Sequence, residues 1–394
     1  MSEEQPVSLV QPPKQKLPLL LKILAVILIV IGVLSVPLIA LVVVGMPFVF
    51  SQVSETYGTM TIILVVAELV LMLVTGVLYV LLGVNMLRDR RRYARQLIEL
   101  TITLSIAQLL CEIMLVGLSS LDIWALVRIV FAVALMVYID PSLSEERQLK
   151  RKLRDMETRE RAEEGTLGRD ETGKGYIELD FFNLFWIFVV ASVLGLVIET
   201  IYHMVVVDPG VYQDRTGMLW GPFSPIYGVG AVLMTVALNR FHKANFIVIF
   251  LVSAVIGGAF EYLVSWFLQF AFGIVAWDYT GTFLSIGGRT NGMFMSMWGV
   301  LGCVWVKLIL PRLLKLVNMI PWKWRYSLTT VCAALMIFDA GMTLLSLDCW
   351  YQRVAGDPIQ NAVEQFMADH YDNEFMEHHF QSMSIDPSNS TRTS

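Results

Sequence analysis

Charge is what this sequence has little of: Asp, Glu, Lys and Arg make up 16% of its 394 residues, against 56% hydrophobic ones. A soluble domain carries about 25% charged residues, so a water-soluble globular enzyme is excluded and the surrounding solvent is mostly lipid. Cysteine is scarce too. Cys111, Cys303, Cys332 and Cys349 have neither the pairing of a disulfide framework nor the spacing of a metal site. A complete phosphate-binding loop is also lacking. Gly168, Gly173 and Lys174 match part of its spacing, but Gly175 stands where a magnesium-binding hydroxyl is needed, and charged sequence precedes them instead of a buried strand. That stretch reads as a linker, and no repeat of solenoid length is visible.

Long apolar runs are what the chain does have. A helix crosses a bilayer core with about 20 apolar residues. Nine segments qualify: 23–45, 61–87, 100–118, 121–139, 181–207, 222–238, 244–272, 291–310 and 326–347. The first stays uncharged for longer than a signal peptide and lacks a small-residue cleavage site, so it is expected to be retained. Lys and Arg divide between alternate loops as 24 against four, with Arg128 left inside a segment. By the positive-inside rule the N-terminus is cytoplasmic, and nine passes leave the C-terminus outside.

The expected fold class is thus an all-α polytopic membrane protein with nine transmembrane helices in a four-plus-five arrangement. Residues 1–140 make an N-terminal four-helix membrane region, 141–180 a charged cytoplasmic helix and linker, 181–347 a five-helix membrane domain, and 348–394 an acidic extracytoplasmic tail. The linker holds 9 basic and 11 acidic residues, with Glu146 and Lys150, Asp155 and Arg159, and Glu157 and Arg161 at helical i, i+4 spacing.

Ionisable side chains inside lipid need a partner or an aqueous cavity, at about 2.5 to 3.5 kcal/mol each. The reading turns on five of them: Glu68, Glu112, Arg128, Glu199 and Glu261. Glu112 and Arg128 flank a short loop and are expected to form a structural ion pair, with Glu68 at similar depth. Glu199 and Glu261 lie about 27 and 26 Å from the inner ends of their segments, by the helical rise, and so share the outer third of the membrane. Their cations must come from the outer loops, where Arg215 and Arg289 are the candidates. Asp278, between Trp277 and Tyr279, is expected to orient Arg289 by bidentate pairing. The proposed polar cluster is therefore Glu199, Glu261, Asp278 and Arg289.

The stretch GMLWGPFSPIYG, from Gly217 to Gly228, would roof this cluster. Gly221 permits a sharp turn and Pro222 suits the first turn of the following helix. Trp220 reads as an interfacial anchor, and Pro225 keeps the backbone irregular, which membrane depth tolerates only against protein or a cavity. In the tail, His370, His378 and His379 stand among acidic residues and read as solvated surface, so no metal is expected. His203 shares a helical face with Glu199.

From about Phe181 to Met383 the sequence resembles the bacterial family of ABC-transporter permeases of type IV. The residues that carry the resemblance are Gly195 and Glu199, GPFSPIYG with Tyr227 and Gly228, Glu261 with Tyr262 and Ser265, Trp277 to Tyr279, Gly288 and Arg289, and Trp298 and Gly299. The resemblance implies a multi-pass permease of the bacterial cytoplasmic membrane, working with a separate ATPase. A non-transporting scaffold or sensor of the envelope is the alternative. Neither reading gives this chain a cofactor, a catalytic residue or a nucleic-acid partner, and a homo-oligomer is compatible with both.

Overall fold

The computed structural model describes residues 19–56, 58–88, 91–139, 156–157, 159–161, 164, 168–170, 175–320 and 322–392. Most of the charged linker, and Lys174 of the phosphate-loop-like stretch, lie outside the described residues. The chain forms two compact units: Met1–Glu112 with Ser119–Arg147, and Ile113–Leu118 with Gln148–Ser394. Among the described residues the regular structure is helical, with three isolated β-bridges.

The first unit is built on α1 (Leu19–Thr56), α2 (Thr59–Leu87), α3 (Arg91–Val116, whose last turn belongs to the second unit) and α4 (Ser120–Ile139). Between apolar helices in lipid no hydrophobic drive operates, so small residues at the contact decide how closely the backbones approach. Gly32 of α1 illustrates this, because a Cβ there would lie 2.5 Å from the Gly76 carbonyl oxygen of α2. Leu21, Ala25, Leu82, Met86, Ile98 and Leu135 pack into one core. Val30, Leu34, Leu38 and Leu41 of α1 point outward, as side chains do whose solvent is lipid.

The second unit holds α5 (Phe181–Tyr202), α6 (Pro225–Leu238), α7 (Phe246–Phe272), α8 (Gly292–Val304), α9 (Leu310–Asn318), α10 (Trp322–Ala355), α11 (Ala362–His370) and α12 (Asn373–His379). Local chemistry sets their ends. Asp180 caps α5 by accepting the Asn183 amide at 2.8 Å, and Asn291 caps α8 by accepting that of Phe294 at 2.8 Å. Gly273 ends α7 in the left-handed conformation, φ 64°. A π turn, Trp305–Ile309, joins α8 to the amphipathic α9, whose Leu310, Leu313, Leu314 and Val317 enter a core with Ile187, Met234, Leu238 and Ile249. Trp305 donates to Thr235 at 2.8 Å inside it.

Seven helices among the described residues are long and apolar enough to cross a bilayer: 21–42, 59–87, 96–116, 181–207, 246–272, 292–318 and 324–355. Each of the nine expected segments carries a helix, but Pro225–Phe241 is too short to count and α4 is not among the seven. The start of α6 corrects one expectation. Pro225, not Pro222, occupies its first turn, after Ser224 as N-cap. The Ser224 amide is held by the Ser192 carbonyl of α5 at 3.1 Å, and Gly221 turns at φ 76° with the Phe223 ring against it, so the chain enters the helix only beyond Ser224. The tail is folded. α10 continues to Ala355, and α11, α12 and the 3-10 turn Pro387–Asn389 pack back against the unit.

Candidate functional site

The site lies where α5, α6 and α7 meet two loops, 208–224 and 273–291. Glu199 stands near the end of α5. Its ion-pair partner is Arg215 of the first loop, at 3.8 Å, and the Tyr227 hydroxyl of α6 is its hydrogen-bonding neighbour. Tyr227 comes so close because Gly195, one turn below Glu199, has no side chain; a Cβ there would meet the Tyr227 ring. Gly228 is packed just as tightly, with space for its Cβ denied by the Phe188 carbonyl oxygen at 2.7 Å.

Glu261 is 6% exposed on α7 and has neutral partners. Tyr279 donates to Oε1 at 3.1 Å and Thr290 to Oε2 at 2.8 Å, with the Trp298 side chain as a further donor. Tyr279 stacks on Phe294 with ring centroids 4.5 Å apart, and its amide donates to the Gly288 carbonyl at 2.7 Å. Burial, then Glu261, then Glu199 push the Tyr279 phenol far above its ordinary value, so it remains a donor at physiological pH. Tyr227 and Tyr279 also interact with each other. Two hydrogen-bonded pairs, Glu199 with Tyr227 and Glu261 with Tyr279, therefore stand near enough to influence each other.

Arg289 takes a different place from the expected one. Its Nη1 donates to Ser265 Oγ at 3.1 Å, and its guanidinium lies 5.3 Å from the Phe270 ring centroid and 5.9 Å from that of Tyr262. Burial lowers its pKa, partly opposed by the Tyr262 hydroxyl. Trp277 serves the loop by donating Nε1 to the Arg289 carbonyl at 2.7 Å. Asp278 is exposed and accepts the Thr280 hydroxyl at 2.6 Å and amide at 2.8 Å, which hold its carboxyl below the usual range. The structure thus gives Glu199 to Arg215 and Tyr227, gives Glu261 to Tyr279 and Thr290, and leaves Asp278 to cap a turn at Thr280 that lies against Gly288, whose φ is 72°.

The GMLWGPFS stretch docks on α10. Trp220 N donates to Asp339 Oδ1 at 3.1 Å and Leu219 N to Thr343 Oγ1 at 2.8 Å, while the Trp220 ring stacks on Phe338 at 5.8 Å and meets Tyr371 edge-on. Asp339 is the residue that sequence reasoning missed. A lone acid inside the apolar segment 326–347 was the available signal. His379 of the tail is 3.0 Å from the Met218 carbonyl, and His203 is buried with its Nδ1 unpartnered. In the first unit Glu112 is half-buried on α3, close enough to Glu68 of α2 to interact with it, while Arg128 is exposed on α4.

The model of the family described as "Putative ABC-transporter type IV" matches residues 186–344, a segment of the chain that contains Glu199, Glu261, Asp278 and Arg289. No curated protein and no solved structure matches the chain. The family match and the seven apolar helices make this a multi-pass membrane protein of transporter-like character.

Proposed function

We propose that the chain is the membrane component of a transporter whose energy comes from a separate ATPase subunit, and that the outer polar cluster around Glu199 and Glu261 is its site. The observation that carries this reading is a pair of carboxylates on apolar helices long enough to cross a bilayer, Glu199 half-buried and Glu261 buried, each hydrogen-bonded to a tyrosine inside the family-matched segment. Polar groups at membrane depth are retained where they bind or conduct. Trp277, Tyr262 and Gly288 support the loop, and no catalytic step is assigned to this chain.

Copurification in mild detergent tests the partner. An ATPase recovered in stoichiometric amount supports the proposal, and ATP turnover by the pure chain that is abolished by Lys174→Ala would contradict it. Glu199→Gln and Glu261→Gln, expressed and folded as the parent, are expected to lose at least about tenfold in transport, the scale of one charged hydrogen bond.

The orientation belongs to the same proposal: nine passes in a bacterial cytoplasmic membrane, N-terminus inside and C-terminus outside. An enzyme active only outside the cell should work when fused after Ser394 and fail when placed in the 141–180 linker. The scaffold reading draws on Glu261, whose carboxylate is already met by donors from within the fold. Under it, Glu261→Gln loses folding instead of transport.

A further inference from the structure

Among the described residues, Arg289 is left without an anion. None of the ion pairs among the described residues includes it, because Glu199 is taken by Arg215 and Glu261 by hydroxyls. Its partners are neutral: the Ser265 hydroxyl, the Tyr262 hydroxyl, and the faces of Tyr262 and Phe270. A half-buried guanidinium keeps several donors in a rigid fork suited to a bidentate oxyanion, and burial raises the cost of leaving that charge unmatched. The backbone around it is fixed at both ends, with the Arg289 amide on the Ile286 carbonyl at 3.1 Å and its carbonyl on Trp277.

The loop that carries Arg289 has an apolar tip turned outward. Phe283 is 80% and Leu284 63% exposed, and Val275 and Ile286 of the same loop are exposed too. Leu284 is held at φ 52°, a left-handed conformation that a non-glycine residue adopts only under constraint. Phe283 and Leu284 lie against Gly292 at the start of α8, so the loop tip continues the exposed stripe of Met293, Met297 and Val300 on that helix. A cation with two hydroxyls, on a loop whose apolar tip is exposed between helices long enough to cross a bilayer, matches one kind of ligand: a phosphate with acyl chains beside it.

We propose that Arg289, Ser265 and Tyr262 bind the phosphate of an anionic phospholipid head group, with Phe283, Leu284 and Ile286 against its chains. The proposal deepens the reading above by naming a ligand for the arginine of the same outer site.

The test uses the full chain in mild detergent, with phosphatidylglycerol or phosphatidylcholine added and bound lipid counted by native mass spectrometry. Phosphatidylglycerol should be retained in preference, and Arg289→Gln should weaken it on the order of 10- to 100-fold, the scale of a charge-assisted contact. Arg289→Lys, which keeps the charge and loses the fork, should fall between. Arg312→Gln, an exposed arginine of α9 far along the chain from this site, should change nothing. Equal retention by Arg289→Gln and the parent overturns the proposal, as does an equal loss in Arg312→Gln, which would mean unspecific charge attraction. Inorganic phosphate that protects the parent as well as the lipid does would also overturn it, in favour of a soluble anion. If Arg289→Gln does not fold, Ser265→Ala with Arg289→Lys decides: unchanged binding in both overturns the site. No transport or ATPase assay enters, so failure here and failure of the transporter reading are told apart.

Discussion

Asp278 shows how a residue chosen for one role can serve another. Its sequence neighbours Trp277 and Tyr279 both reach into the site, yet its own carboxylate turns back on Thr280 and closes a two-residue turn. Hydrogen bonds to the ionised form depress its pKa below the ordinary 3.8. A depressed folded-state value means that the stabilisation is complete above the unfolded value and disappears as pH falls through the folded one. The stability difference between the parent and Asp278→Asn should therefore be constant at neutral pH and vanish in acid, below 3.8. Thermal unfolding followed across that range checks it. A difference that grew in acid would mean that the folded state favours the protonated carboxyl, against the role given to the Thr280 hydrogen bonds.

At the scale of elements, the loop before α6 is held in place from a helix remote in sequence. Asp339 and Thr343, one turn apart on α10, accept the amides of Trp220 and Leu219. These amides lie in irregular backbone, where a buried unpaired N–H costs about 1 to 3 kcal/mol. Asp339→Ala is expected to destabilise the protein by about that amount and to speed hydrogen exchange at Leu219 and Trp220. Asp339→Asn keeps an acceptor and should be milder. Unchanged exchange in Asp339→Ala would show that the stacking of Trp220 on Phe338 suffices.

At the scale of the molecule, the end of the chain locks the second unit. Arg392 and Asp348 form an ion pair with side chains 3% and 2% exposed. Arg392 also donates Nε to the Ala271 carbonyl at 2.8 Å and covers Tyr351 at 3.9 Å from its ring centroid. Thr391 donates to the Met114 carbonyl at 2.9 Å, and Asp348 accepts the Leu118 amide at 3.1 Å, so the turn after α3 is held by the same lock. Removing one partner strands a buried charge, at about 3 to 5 kcal/mol. Arg392→Ala, or a chain ended at Thr391, should lose that much stability, and Asp348→Asn with Arg392→Gln should lose less than Arg392→Ala alone. Thermal unfolding in one detergent measures all three.

Helix positions, the apolar character of the chain and the family resemblance of its second half were legible in the sequence, because they depend on local composition and on the order of a few residues. Counting along helices of fixed rise also gave Glu199 and Glu261 a common expected depth, which belongs to the proposed orientation. What the carboxylates would meet was not legible. Two arginines stood within reach along the chain, and only packing decided that Glu199 takes Arg215, that Glu261 takes Tyr279 and Thr290, and that Arg289 is left beside Ser265 and Phe270. The same holds for Pro225 as the start of α6 and for Arg392 closing on Asp348, 44 residues earlier. Partner choice between charges depends on distances set by the tertiary fold, and a linear sequence carries charge and spacing but not those distances.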